Sequence, residues 1–295
     1  MADRRVVFDF EIEFANGGGI QGQDFRLDLE GPEIDHRAVA DRIVADLRLL
    51  AVSAVRITNV RGIEEPHKRA IRASGMQPGT IVELSHVIRD GMQTYPGLPG
   101  PAIGTHLSRE DSRARYAAGT EFHIGTLSMV ANTGTYLDTP FHRYADGTDL
   151  AGLAASACVA VEGVVVRVAD RRAIGVDALA DVDTWHRAVL FHTGWDRHFG
   201  TPAYAIDAPF VTEAAARRLV EGGATLVGID SVNIDDISGN ARPAHSILLA
   251  AGIPIVEHMT GLERLPERGF ELTAVPPRVE GLGTFPVRAV ARITA

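Results

Sequence analysis

A single cysteine, Cys158, in 295 residues excludes an intrachain disulfide. It sits in the apolar run from Ala157 to Val161 and reads as a buried, inert thiol. No apolar stretch approaches the roughly 20 residues of a membrane span. Met1-Ala2-Asp3-Arg4-Arg5 leads straight into an alternating pattern, without the continuous apolar segment of a secretory signal, so a cytoplasmic location is expected. Positive charge is also short. The net charge of -9 argues against a nucleic-acid partner, which would need a basic face, and reads as a solvated acidic surface. Gly17-Gly18-Gly19 is followed by neither G-x-x-x-x-G-K-S/T nor G-x-G-x-x-G, and reads as a flexible connection rather than a phosphate cradle. Internal repeats and low-complexity tracts are missing. Helical segments are too few and too irregularly placed for a (β/α)8 barrel.

The balance of 45% hydrophobic and 23% charged residues is that of a soluble globular protein, long enough for one large domain or a domain plus a smaller module. Phe8, Phe10, Ile12 and Phe14 alternate with acidic residues, the period of a half-buried strand, and Phe25, Leu27 and Leu29 repeat the pattern after the glycine run. Asp35 can cap a helix carrying Val39, Ile43, Leu47 and Leu50 on one face, and Val55 and Ile57 suggest another strand. Residues 62–79 are charged and end in Gly75 and Pro78-Gly79, a boundary between an α+β module over 1–75 and a larger domain over 76–295. In that domain 81–84, 127–132, 159–168, 187–191, 226–229 and 270–275 read as strands. Residues 207–221 and 243–251 read as helices, the second with Pro243 in its first turn and Gly252 beyond its last. The fold class expected is mixed α+β.

Chemistry concentrates in two stretches. If 132–138 is a strand, Asn132, Tyr136 and Asp138 project from one face, Gly134 leaves room between them, and His142 returns from the turn after Thr139-Pro140. About a hundred residues later, His245 lies in the first turn of a helix and Glu257 closes the apolar run 253–256, where a carboxylate needs a partner or a ligand. Asp230, Asn233 and Asp235 are placed to support His245. His258, next to Glu257, would point the other way in a strand, and His123 is a remote substitute ligand. His186, His192 and His198 fit no ligand spacing.

The run N-T-G-T-Y-L-D-T-P-F-H from Asn132 to His142 resembles H-x-G-T-H-x-D-x-P-x-H, the signature of the cyclase-type metal-dependent hydrolases that include bacterial kynurenine formamidase and isatin hydrolase. Leu84-Ser85-His86, Thr193-Gly194-Trp195, the His245/Glu257 pair and the tail Phe285-Pro286-Val287-Arg288-Ala289 extend the resemblance over roughly 80–293. It implies a swivelling β/β/α domain and homo-oligomers, a homodimer or homotetramer, with sites near subunit contacts. It implies Asp138, His245 and Glu257 as metal ligands and His142 as the acid/base histidine. Two ligand histidines of the signature are replaced by Asn132 and Tyr136, and a carboxamide or neutral phenol is a much poorer ligand than imidazole.

Three readings follow. One divalent ion, Zn or Mn, on Asp138, His245 and Glu257 would serve a hydrolase opening a cyclic or N-acyl amide, or a lactone. His142 would move the proton and Tyr136 would donate to the oxyanion. A metal-free acid/base enzyme would use Tyr136, Asp138 and His142, with Asn132 orienting a small-molecule substrate. A binding protein would keep the fold without the chemistry.

Overall fold

The computed structural model describes residues 3–28, 35–47, 49, 51–65, 77–169 and 171–294. The expected boundary at 62–79 lies largely outside them, as does Leu50. The chain divides into two compact units, Met1–Ala73 and Ser74–Ala295, each described by itself.

In the first unit β1 (Asp3–Phe14), β2 (Gly19–Asp28) and β3 (Val52–Glu65) form an antiparallel sheet in the order β2-β1-β3, with α1 (His36–Asp46) between β2 and β3 in sequence. The period-2 pattern of β1 decides which face is buried. Val6, Phe8, Phe10 and Ile12 point together and form a core with Val39 and Ile43 of α1. Each such buried side chain contributes roughly 1.5–3 kcal/mol of transfer free energy. Gly17, at φ 84°, supplies the left-handed residue of the β1–β2 turn.

The second unit contains β4 (Ile81–Glu83), β5 (Ala102–Leu107), α2 (Arg109–Arg113), β6 (Ile124–Ser128), β7 (Tyr136–Asp138), β8 (Val161–Arg167), β9 (Ala173–Ile174) and β10 (Ala188–His192). After these come β11 (Phe210–Val211), α3 (Glu213–Glu221), β12 (Leu226–Ile229), α4 (Pro243–Ala250), β13 (Ile255–Glu257), β14 (Phe270–Thr273), β15 (Thr284–Pro286) and β16 (Val290–Ile293). Nine strands form one sheet in the order β15-β7-β13-β12-β10-β8-β14-β16-β4. Its centre, β8-β10-β12-β13, is parallel, and the strands beyond on either side are antiparallel. The central strands are continuous apolar runs because both faces are covered. Val165 and Leu190 enter one core, while Val164, Val189, Phe191, Val227 and Ile255 enter another with Leu219 of α3 and Leu248 of α4. Among the described residues no helix is long and apolar enough to cross a membrane.

Three local expectations shift. The strand expected over 127–132 is β6, which ends at Ser128 and pairs with β5 in a separate hairpin. The helix expected from 207 starts at Glu213, because Phe210–Val211 is extended and pairs with β9 before Thr212 caps the helix. The strand expected over 132–138 is regular only from Tyr136 to Asp138. Gly134 at φ 67° turns the chain just before it, so Asn132 reaches the same region from an irregular segment.

Candidate metal and proton-transfer site

Sheet register assembles the site. Tyr136 and Asp138 are two apart on β7 and share a face. β13 sets Glu257 opposite Tyr136, and β15 sets Thr284 opposite Asp138. All four side chains are buried. Asp138 Oδ1 accepts a short hydrogen bond from Thr284 Oγ1, while Oδ2 is buried with no hydrogen-bond partner. A buried, unpartnered carboxylate oxygen is costly, and marks where a cation or a proton belongs.

His245 faces that oxygen. Pro243 starts α4, and the helix's cap residue Arg242 makes no side-chain capping bond. Asp235 takes the role instead: its Oδ1 accepts from Ala244 N at 2.7 Å and its Oδ2 from His245 N at 3.0 Å. The same Oδ2 lies 2.7 Å from His245 Nδ1, which fixes the tautomer and leaves Nε2 toward the site. Nε2 is 3.7 Å from Asp138 Oδ2 and 3.5 Å from Glu257 Oε1. These are too long for hydrogen bonds, but neighbouring ligands of a tetrahedral ion with bonds of about 2.0–2.2 Å stand about 3.3–3.5 Å apart. The donor types, two carboxylates and an imidazole, suit one divalent ion, with the His245–Glu257 pair at that spacing and the His245–Asp138 pair slightly wider. Asp138, His142 and His245 form a group whose ligand atoms lie within 4.8 Å of one another, so His142 also reaches this point.

His142 ends a short turn of 3-10 helix, Pro140–His142, and is 35% exposed. Its Nδ1 is 2.8 Å from Thr284 Oγ1, whose proton goes to Asp138, so Nδ1–H donates and Nε2 is left free to accept a proton. Glu257 has a donor on each oxygen: Ile234 N at 2.6 Å on Oε1 and Tyr136 OH at 2.7 Å on Oε2. Burial, then Glu257 and Asp138 nearby, hold the Tyr136 phenol well above its ordinary pKa, so it stays neutral. Its one proton is engaged by Glu257. Burial pushes the Glu257 carboxyl up, with Asp138 adding to the shift against His245. For His245 burial opposes charging, but Glu257, Asp138 and Asp235 overcome it and raise the imidazole to about 10. A proton on His245 thus stands in the place that a cation would fill.

A cavity of about 590 Å3 opens over this cluster. Asn132, Tyr136, His142, His245 and Glu257 line it, with Asp138 buried beneath. All six side chains singled out in the sequence are therefore brought together. His123 is exposed and bonded to Thr105 Oγ1 instead. Of the three supporting residues expected, Asp235 touches His245; Asp230 holds the Thr193-Gly194 turn through both backbone N–H groups, and burial pushes its carboxyl up to about 6. Asn233 Oδ1 accepts from Asp235 N at 2.9 Å. Two residues escaped the sequence reading. Thr284 gives no motif signal and lies 146 positions from Asp138. His258 does not point away. β13 ends at Glu257, and a left-handed φ of 54° at His258 turns its ring back to Tyr136, with Nε2 3.2 Å from the hydroxyl.

The fold and cluster define a mixed α+β domain with a buried acid–histidine site at the edge of its main sheet. The chain belongs to the Cyclase family, whose model matches residues 82–236. It is 26% identical over 213 residues to a kynurenine formamidase of Geobacillus thermodenitrificans, covering 72% of this chain and 96% of that one. It is 27% identical over 224 residues to one of Bacillus cereus, covering 74% and 99%. Isatin hydrolase A from Labrenzia aggregata shares the fold at a TM-score of 0.63 and 22% identity, over 73% of this chain and 94% of that one. A potential metal-dependent hydrolase with cyclase activity matches at a TM-score of 0.60 and 23% identity, over 73% and 98%.

Proposed function

We propose that the chain is a hydrolase of a C–N amide bond in an N-acyl amine or a cyclic amide, working with one divalent ion, Zn or Mn. Asp138, His245 and Glu257 would hold the ion. The observation that carries this is Asp138 Oδ2, buried and unpartnered, facing an imidazole whose far nitrogen is fixed by Asp235. When bound, such an ion polarises a carbonyl and lowers the pKa of a water. The chain supplies the rest. His142, with Nδ1 engaged by Thr284, takes a proton at Nε2 and returns it to the leaving nitrogen. Asn132, lining the cavity together with Tyr136, orients the substrate. The relatives named kynurenine formamidase support the reaction class.

Arg143 and Arg242 also line the cavity. Arg143 bonds to Ser246 Oγ and Arg242 to backbone carbonyls, so neither meets a carboxylate among the described residues. This favours substrates carrying an anionic substituent over neutral ones.

The test compares variants loaded with Zn2+ or Mn2+ on aryl formamides with and without a carboxylate, and on isatin. Glu257→Gln should lose the ion. His142→Ala should keep it and lose turnover by about 10²–10⁴-fold. Turnover unaffected by metal removal would overturn the reading. A second reading, metal-free acid/base chemistry, draws on the raised pKa of His245, which already balances the carboxylates with a proton. Activity that survives chelation and is lost in His142→Ala is its signature.

A further inference from the structure

His258 is wholly buried and adopts a φ of 54°, a left-handed conformation that strains a non-glycine residue. The strain is held from both sides. His258 N donates to Ser231 O at 3.2 Å, and its carbonyl accepts from Thr135 Oγ1 at 2.5 Å. Both ring nitrogens have partners, Nδ1 with Tyr204 OH at 3.0 Å and Nε2 with Tyr136 OH at 3.2 Å. Only one proton arrangement satisfies every group. Tyr204 donates to Nδ1, Nε2–H donates to Tyr136, and Tyr136 donates to Glu257 Oε2. The reverse order needs a proton on Glu257 and leaves the buried Tyr204 hydroxyl with no other acceptor among the described residues.

We propose that His258 is a positioning residue. Its Nε2–H fixes the direction of the Tyr136 hydroxyl, which grips Glu257 Oε2 and keeps Oε1 turned toward His245. Tyr204, His258 and Tyr136 thus form a hydrogen-bonded brace behind Glu257. The brace rests on the metal reading above for its purpose, but its geometry can be tested without a metal.

The experiment uses the full chain as wild type, His258→Asn, His258→Gln, Tyr136→Phe and the Tyr136→Phe/His258→Asn double variant. Zn2+ and Mn2+ affinities are read by chelator competition, stability by thermal melting, and histidine tautomers by 15N NMR of the metal-free protein. An Asn side chain adopts the left-handed conformation readily but places its amide near the Nδ1 position, whereas Gln places an N–H near Nε2. His258→Asn should melt no lower than wild type yet bind the ions about tenfold or more weakly, and His258→Gln should stay within about threefold. In the Tyr136→Phe background, His258→Asn should change affinity less than about twofold, because the two residues act as one unit. The metal-free protein should carry the His258 proton on Nε2, with a resonance that moves in Tyr136→Phe.

Wild-type affinity in His258→Asn, an equal loss in His258→Gln, or an undiminished loss in the Tyr136→Phe background would each overturn the proposal. So would a proton on Nδ1. If wild type binds neither ion, the metal reading falls, and the NMR result alone decides the brace. If His258→Asn does not fold, the tautomer and its response to Tyr136→Phe decide it.

Discussion

Asp235 serves the helix and the site with one carboxylate. It accepts the first free N–H groups of α4 and the Nδ1–H of His245, so the start of the helix and the direction of the imidazole are set together. An amide in its place cannot accept at both positions. Asp235→Asn should weaken Zn2+ binding about 10–100-fold and cost about 1 kcal/mol of stability at the helix start. Chelator competition and a denaturant midpoint measure the two effects, and unchanged affinity would remove Asp235 from the site. Asn132 and Tyr136 make the complementary point. The resemblance implies imidazoles at both positions, and the side chains present bind metal poorly; Tyr136 instead donates its proton to Glu257, and Asn132 lines the cavity.

Among the elements, β7 has three residues and yet supplies Tyr136 and Asp138, because β13 and β15 flank it in fixed register. The approach of β15 depends on Gly283. A Cβ there would overlap His142 N, a backbone atom that cannot swing aside. Gly283 O also accepts from Thr139 N at 2.7 Å and from Thr139 Oγ1 at 3.0 Å. Gly283→Ala should therefore cost about 1–3 kcal/mol and separate Thr284 from His142. A lower denaturant midpoint together with impaired turnover is the expected result; a wild-type midpoint would show that the junction is loose.

Elements with a strong period or an apolar run were legible: β1 from its alternation, β10 and β12 from continuous apolar residues, α4 from Pro243 and Gly252. The signature segment was not, since a glycine at positive φ broke the alternation on which the face assignment rested. His258 was misread for the same kind of reason: side-chain direction follows φ, and no local pattern announces a left-handed histidine. Thr284 was invisible because its role comes from a strand order unrelated to chain order.

At the scale of the molecule, the buried cluster sets the response to pH. His245 is raised to about 10, whereas an unfolded histidine titrates near about 6.5. The folded metal-free protein holds this proton more tightly, so the stabilisation is full below about pH 6.5 and is lost as pH climbs toward about 10. The raised Glu257 carboxyl acts with the same sign at lower pH. The melting temperature of protein kept in chelator should fall across this window, and saturating Zn2+ should abolish the fall by displacing the proton. Zn2+ affinity should rise with pH, by up to about tenfold per unit. A flat melting profile in chelator would place the proton elsewhere.

The register of β7 has a consequence for biogenesis. Tyr136 meets Glu257 across 121 positions and Asp138 meets Thr284 across 146. Such distant pairings form late, after the loop-closure entropy between them has been overcome. The three residues that would hold an ion are not all present until β13 has emerged, so an ion cannot template the strands made before it. Metal capture would then report the pairing of β7 with β13 rather than precede it.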